Sequence, residues 1–197
     1  MLLNLVFSSA LALTAVLPST VACKPDEPPK AAAAEPLKVG SAAPALQVSR
    51  WVKGNGPSEF EQGKVYVVEF WATWCKPCLD AIPHLTQMAR EYSGKVTFVG
   101  VNVWEEIVSK AVKEATGETL DVEKKIDAFV RGMGDKMDYF VARDTASGYM
   151  ANTWLLAAGQ NGIPCAFIVD GNGKIAWIGH PMDSMDEAIN AVLANAE

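Results

Sequence analysis

Residues 65–83 constrain the fold of this chain more than any other stretch. Val65–Trp71 is rich in β-branched and aromatic residues, a composition typical of a buried strand. After a short connection, Cys75–Cys78 opens a predicted helix that continues through Ile82 and ends near Gly94. A strand that leads directly into two cysteines at a helix N-terminus, with two residues between them, is an arrangement suited to redox chemistry.

The start of this helix favours a thiolate at Cys75. The first N–H groups of a helix have no intrahelical partner, and the helix dipole places about half a positive charge there. Lys76 adds a positive charge, and Pro77 suits an early helical position because the N–H that it lacks would be unpaired anyway. We therefore expect Cys75 to be the exposed nucleophile with a low pKa. Cys78 lies one turn further on, where it would be shielded and would resolve mixed disulfides.

The residues around the two cysteines resemble the thioredoxin-like superfamily. Trp74–Cys78 resembles the thioredoxin active site, with Lys76 where thioredoxins have glycine. Phe70–Cys75 is similar to the exported thiol–disulfide oxidoreductases of the TlpA/ResA type. The resemblance runs from about residue 38 to the C-terminus. It implies an α/β thioredoxin fold, in which a central mixed β-sheet is flanked by helices.

The resemblance also implies roles for residues outside the cysteine pair. Glu69 stands where the family has a buried acid, which would exchange a proton with Cys78, and burial would raise its pKa. Ile163 and Pro164 resemble the cis-proline loop, where the Ile163 backbone would pair with an extended substrate. Trp74, next to the nucleophile, would either cover the disulfide or contact a partner protein.

Cys165 follows Pro164 directly, where the family usually has threonine. Two interpretations are open. A third thiol near the active site could form an alternative disulfide or complete a metal site. Alternatively, Cys165 is a small apolar residue at the start of a buried strand. We favour the second interpretation for two reasons. No charged neighbour in the sequence would lower the pKa of the Cys165 thiol, and burial in apolar surroundings would raise it and make the thiol inert.

The rest of the sequence predicts one thioredoxin-like domain over residues 37–197. The strand–helix–strand order from Val65 to Val103 predicts a βαβ unit with parallel strands. Residues 104–136 contain two runs with helical spacing and predict a helical insertion after this unit, which either only packs on the domain or also binds a partner. Further predicted elements are a strand near 46–52, a strand at 139–142, a helix at 149–158 closed by Gly159, a hairpin turn at 170–173 with its return strand at 174–179, and a last helix capped by Asp183.

The N-terminal segment predicts export. Residues 1–22 carry no charged side chain, and their apolar core has the length of a signal peptide rather than of a membrane span. Residues 20–23 resemble a lipobox, which would make Cys23 a lipid attachment site. Cleavage near Ala22 without lipidation and an uncleaved anchor are the alternatives. Residues 23–36 are rich in proline and alanine and predict a linker. The protein would thus act in the periplasm or on the extracytoplasmic face of the membrane.

Charge and cysteine count limit the function classes. The chain carries 17 Lys and Arg against 23 Asp and Glu, a net charge of −6, which argues against nucleic-acid binding. We predict thiol–disulfide exchange with protein disulfides or thiols, without a cofactor or metal, supplied by an upstream membrane or periplasmic thiol donor. Lys76 and Pro77 are more similar to reducing members of the family than to strong oxidants, which favours a reductant.

Three other functions are considered. A thiol peroxidase-like redoxin would need a Pro-x-x-x-Thr-x-x-Cys motif, whereas Thr73 lies only two residues before Cys75. A thiolate metal-binding module could use Cys75, Cys78 and Cys165, although the sequence has no second CxxC to complete a zinc site. A scaffold without catalytic activity would leave the cysteine pair unused.

Overall fold

The computed structural model describes residues 35–195. The predicted signal peptide, the predicted lipid attachment site Cys23 and all of the predicted linker except residues 35 and 36 lie outside the described residues. The elements, in chain order, are β1 (Val48–Lys53), β2 (Val65–Trp71), α1 (Lys76–Glu91), β3 (Val96–Asn102), α2 (Glu105–Thr116), α3 (Val122–Met133), β4 (Phe140–Asp144), β5 (Cys165–Val169), β6 (Ile175–Gly179) and α4 (Met185–Ala194).

The six strands form one mixed sheet in the order β1–β4–β3–β2–β5–β6. Strands β2, β3 and β4 are parallel, whereas β1, β5 and β6 run antiparallel to their neighbours. Helix α1 connects β2 to β3, which pair along their whole length from Val65 opposite Val96 to Trp71 opposite Asn102. The predicted βαβ unit and the thioredoxin fold are confirmed.

Strand β2 is buried on both faces and divides the core. Tyr66, Val68 and Phe70 point to one face, where they pack with the segment around Trp154. Val65 and Val67 point to the other face, under α1. Glu69 and Trp71 follow on this second face because successive strand residues alternate. The end of α1 that carries the two cysteines and the side chain of Glu69 therefore lie on the same side of the sheet.

The helical insertion is confirmed, and its two helices differ in how they are buried. In α3, Ile126 and Val130 are buried, and Phe129 packs on Trp71 with ring centroids 5.4 Å apart. In α2, Glu105 is the buried residue, while the predicted apolar positions stay partly or wholly exposed, including Ile107 at 58%. Helical spacing in α2 thus does not correspond to a buried apolar face.

The predicted helix at 149–158 is confirmed, but it is not a regular α-helix. It contains a wide π-helical turn, Ala151–Leu155, followed by a 3₁₀ turn, Leu156–Ala158. Asp144 accepts hydrogen bonds from the N–H groups of Met150 and Ala151, at 2.9 and 3.0 Å, and so fixes the start of this segment. Gly159 closes it in the left-handed region, as predicted.

The last helix, α4, is not capped by Asp183. Ser184 precedes it with a φ of 54°, and no side chain caps its first turn. The N–H of Asp183 instead donates to the His180 carbonyl in the preceding turn, at 2.9 Å. Asp186 and Glu187 place negative charge in the first turn of α4, where the helix dipole is positive.

None of the helices between residues 35 and 195 has both the length and the apolar character needed to cross a membrane.

Candidate active site

Cys75 and Cys78 form a disulfide at the N-terminus of α1, with their Cα atoms 5.3 Å apart. Cys75 is the N-cap of the helix, and its Sγ accepts a hydrogen bond from the Cys78 N–H at 3.3 Å. A sulfur at this position faces the unpaired N–H groups and the positive end of the helix dipole. Cys75 Sγ therefore lies at the helix N-terminus, the position that the sequence predicts.

The expected exposure of Cys75 is wrong in extent. Cys75 is 3% exposed and Cys78 is fully buried, so the order is as predicted but both sulfurs are covered in the oxidised protein. Ile163 packs against the buried apolar cluster that contains both cysteines, and its carbonyl oxygen lies 3.6 Å from Cys75 Sγ. Trp74 is 39% exposed, and its Nε1–H donates to the Trp104 carbonyl at 3.2 Å, which holds the ring at the surface beside the disulfide.

Lys76 does not act as a free positive charge near the thiols. Its side chain is 78% exposed, and Nζ lies 2.6 Å from Oδ2 of Asp80, one turn further along α1. The spacing of four residues could have revealed this pair in the sequence. Pro77 occupies one of the first two helical positions, as predicted. Lys76 is therefore paired with a carboxylate, whereas the N-terminus of α1 faces Cys75 Sγ directly.

Pro164 follows a cis peptide bond after Ile163, as the family resemblance implies. Cys165 begins β5 opposite Phe70, and its side chain joins the core on the face of the sheet opposite the disulfide. Its thiol is free and buried. Burial, and secondarily the charge of Glu69, raises the pKa of Cys165 to about 12. This geometry supports a packing role for Cys165.

Glu69 is the buried acid of the site. It is 1% exposed, and within the described part of the chain neither carboxyl oxygen has a hydrogen-bond partner. Burial raises the pKa of Glu69 to about 8. A carboxyl group with this pKa holds a proton at neutral pH and can accept or return one close to the pH at which thiols ionise.

Glu105 is a second buried acid, which the sequence analysis missed. Its carboxylate accepts hydrogen bonds from the N–H and Oγ1 of Thr73, at 2.5 and 2.9 Å, and from Asn102 Nδ2 at 3.0 Å. Lys125 Nζ from α3 lies 3.3 Å away. Glu105 thus joins the loop before Cys75 to β3 and to the insertion. In the sequence it looks like an ordinary exposed acid in a first helical turn, so no local signal identifies it.

The three-cysteine metal site is not formed in this structure. Cys165 lies across the sheet from Cys75 and Cys78. Over residues 35–195, no group of three His, Cys, Asp or Glu side chains is arranged to hold a metal ion.

The sequence of this chain is similar to those of thioredoxins and thioredoxin-like proteins. The thioredoxin family model matches residues 54–117. FixW from Rhizobium leguminosarum is 32% identical over 147 residues, which are 74% of this chain and 62% of FixW, so the chain spans less than two thirds of that relative. The H-type thioredoxin of Chlamydomonas reinhardtii is 38% identical over 44% of this chain and 80% of its own length. The thiol–disulfide oxidoreductase ResA of Geobacillus thermodenitrificans is 28% identical over 72% of this chain and 69% of its own.

Solved structures share the fold. A thiol–disulfide isomerase from Corynebacterium glutamicum superimposes with a TM-score of 0.58 and 22% identity. The match covers 77% of this chain and 97% of that protein. At this identity the likeness establishes the fold alone.

Proposed function

We propose that this chain, which belongs to the thioredoxin-like superfamily and is of the TlpA/ResA type, is a thiol–disulfide oxidoreductase acting on protein thiols or disulfides. The observation that carries the proposal is the Cys75–Cys78 disulfide at a helix N-terminus, on the same side of the sheet as the buried carboxyl of Glu69.

The reaction as a reductant has two steps. The Cys75 thiolate attacks a substrate disulfide, forms a mixed disulfide and releases one substrate sulfur as a thiolate. Cys78 then transfers its proton to the ionised form of Glu69, which is the minor form at neutral pH, and attacks the Cys75 sulfur. The Cys75–Cys78 disulfide forms, and the second substrate sulfur leaves. Two electrons pass from the cysteine pair to the substrate, and Glu69 returns its proton when the pair is next reduced.

Substrate binding would use the surface around the cis-proline loop. The Ile163 carbonyl lies near Cys75 Sγ, so an extended peptide that carries the target disulfide could pair with the Ile163 backbone while its sulfur reaches Cys75. Trp74 offers an exposed aromatic surface next to this position. These contacts depend on backbone and shape rather than on a particular sequence, which suits a protein partner presenting a disulfide.

The proposed direction is reduction. The Lys76 and Pro77 pair, more similar to reducing members of the family, supports this direction. Measurement of the reduction potential of the Cys75–Cys78 couple tests it. A value near or above about −120 mV, the potential of strong oxidants, would contradict the reductant role.

The proposed location is the periplasm or the extracytoplasmic face of the membrane, where an upstream membrane or periplasmic thiol donor would keep the cysteines reduced. The apolar segment at residues 1–22 and the lipobox-like residues 20–23 support this location. If Cys23 is acylated, Cys23→Ala should move the protein from the membrane fraction to the soluble fraction. An unchanged distribution would contradict the lipid anchor.

Insulin reduction tests the activity itself. We expect the wild type to reduce insulin disulfides with a thiol donor, and Cys75→Ser to abolish this activity. In Cys78→Ser, iodoacetamide should label Cys75 rapidly at pH 7, whereas Cys78 in Cys75→Ser should react slowly. The opposite labelling order would reverse the assigned roles. Consumption of hydrogen peroxide without insulin reduction would favour the thiol peroxidase alternative.

A further inference from the structure

Three side chains close around Gly100, which pairs with Glu69 across β2 and β3. A Cβ atom placed on Gly100 would lie 2.9 Å from Cε2 of Tyr139, and 3.4 Å from both Glu69 Oε2 and Trp71 Nε1. A side chain at residue 100 would therefore collide with the Tyr139 ring. The glycine lets that ring approach the backbone of β3, so the indole nitrogen and the carboxyl group become neighbours of the ring.

The polar atoms of these three side chains are complementary. The Glu69 carboxyl oxygens, Trp71 Nε1 and Tyr139 Oη are all buried and have no hydrogen-bond partner within residues 35–195. The indole N–H is a donor, a tyrosine hydroxyl can donate, and an ionised carboxylate can only accept. Buried polar groups without partners are costly, and two unused donors next to one unused acceptor can satisfy one another.

We propose that Tyr139 and Trp71 are positioning residues that donate hydrogen bonds to the ionised Glu69 carboxylate, directly or through a single water molecule. The inference deepens the proposed function, on which its significance rests, because Glu69 is the group that would take the proton of Cys78. The two donors favour the ionised form of Glu69 and so set the pH range over which it accepts that proton.

Tyr139 is the hydrogen-bond donor near Glu69 whose hydroxyl group can be removed with least change in shape. Two titratable groups feel the charge of Glu69: Tyr139 from the segment before β4, and Cys165 of β5, whose side chain lies on the other face of the sheet, while Cys75 and Cys78 of α1 lie on the same face as Glu69. Burial, and then the charge of Glu69, raises the pKa of Tyr139 well above its usual value, so the hydroxyl keeps its proton and remains a donor. Strand β3 contributes only Gly100 here, which has no side chain.

The test follows Glu69 itself. The infrared carbonyl band of the protonated carboxyl is titrated in the wild type and in Tyr139→Phe, with Glu69→Gln used to assign the band. We expect Tyr139→Phe to raise the titration midpoint by about one pH unit, since a hydrogen bond to a charged group is lost. The matched control is Tyr92→Phe, because the Tyr92 hydroxyl already has a partner, Asn190 Oδ1 at 3.1 Å, and does not take part in the contacts at Gly100, so this change should leave the midpoint unchanged.

A second variant tests the sign of the effect. Replacement of Tyr139 with 3-fluorotyrosine keeps the shape of the ring and strengthens the donor, so the midpoint should fall. An unchanged midpoint in both variants, or shifts in the opposite directions, would overturn the inference. The titration requires no substrate, so this result is independent of insulin reduction. A wild type that fails to reduce insulin would refute the proposed function while the inference about Glu69 was still tested.

Discussion

Two buried glutamates, Glu69 in β2 and Glu105 at the start of α2, differ in their hydrogen bonding. Glu69 and Glu105 are each 1% exposed. Glu69 has no hydrogen-bond partner among the described residues, whereas Glu105 accepts bonds from Thr73, Asn102 and Lys125. Burial alone therefore does not define the role of an acid. The unpartnered carboxyl is suited to exchanging a proton, and the partnered one holds a loop in place.

The difference follows from where each residue stands in the fold. Glu69 lies within the buried strand β2, and the two donors that approach the same point, Trp71 Nε1 and Tyr139 Oη, make no hydrogen bond to it in this structure. Glu105 begins α2 at the carboxyl end of the parallel strand β3, close to the end of β2 and to the loop that follows it. Backbone N–H groups and side-chain donors are plentiful at such an edge, so a buried carboxylate there is well compensated.

The largest effect should come from Glu69→Gln. The folded pKa of Glu69 is about 8 and its ordinary value is 4.5, so the folded state holds a proton that the unfolded chain releases. The contribution of this group to the free energy of unfolding is fully present below pH 4.5, where both states are protonated. It is lost as the pH rises from 4.5 to about 8, because only the unfolded chain releases the proton in that range. Glu69→Gln should raise the free energy of unfolding at pH 9 by up to about 5 kcal/mol, since each pKa unit corresponds to about 1.4 kcal/mol.

Urea denaturation at pH 4 and pH 9 measures this gain, which should be absent at the lower pH. The same variant should slow insulin reduction mainly at neutral and higher pH, because the acceptor for the proton of Cys78 is gone. Wild-type rates between pH 5 and 9 would make Glu69 a packing residue only. Equal stability of the two proteins at pH 9 would mean that the cost of burying the ionised carboxylate is fully compensated, and would contradict the raised pKa of Glu69 in the folded protein.

Glu105→Ala should have the opposite sign. The change leaves the Thr73 N–H, the Asn102 amide and the Lys125 ammonium without their shared acceptor, and we expect a loss of roughly 3–4 kcal/mol in unfolding free energy at pH 7. Glu114→Ala is the matched control, because Glu114 is an exposed partner of Lys110 on the same helix and should cost less than about 1 kcal/mol. Equal losses in both variants would remove the contrast between the two buried acids.

Lys76→Ala should have a much smaller effect than either. Its ion pair with Asp80 is exposed, unlike the pair between Lys125 and the buried Glu105. Exposed pairs contribute less than about 1 kcal/mol, so iodoacetamide should label Cys75 at pH 7 within about threefold of the wild-type rate in the Cys78→Ser background. A loss of ten-fold or more would show that Lys76, rather than the helix N-terminus, stabilises the thiolate.

Cys165→Thr should leave activity unchanged. The thiol lies across the sheet from the disulfide, although the charge of Glu69 still contributes to raising its pKa. Peptide mapping under non-reducing conditions should find the Cys75–Cys78 bridge and no disulfide to Cys165. A substantial Cys165-linked peptide would bring this residue into the mechanism and would bring the two faces of the sheet into one site.

The sequence predicted the parts of the site that depend on local pattern. The apolar run of β2, the cysteine spacing and the helix start are visible in consecutive residues, and so is the acid within the strand. Ile163 and Pro164 required the family resemblance, because their approach to Cys75 spans 88 positions of the chain. The fold class followed from the same local signals, since strand and helix alternate at the spacing of a βαβ unit.

What the sequence missed depends on contacts between distant segments. Glu105 looks like a first-turn surface acid, and only its closeness to Thr73, 32 positions earlier, shows that it is buried. Gly100 reads as an ordinary interruption of a strand, yet it allows Tyr139 to approach Glu69. The apolar spacing of α2 was misleading because a periodic pattern does not specify which surface, if any, covers it.

The bonds of Glu105 bear on how such proteins can be shortened or recombined. A minimal thioredoxin could be sought by deleting residues 104–136 and joining β3 directly to β4. That deletion would remove Glu105, the acceptor of the Thr73 N–H. It would also remove Glu106 and Glu123, which are the acidic partners of the buried Arg143. The insertion is therefore not an interchangeable module. If the insertion were transferred to a relative, that relative would need residues equivalent to Thr73, Asn102 and Arg143, which contact it here. Without them, the loop before Cys75 would lose its hydrogen bonds to Glu105.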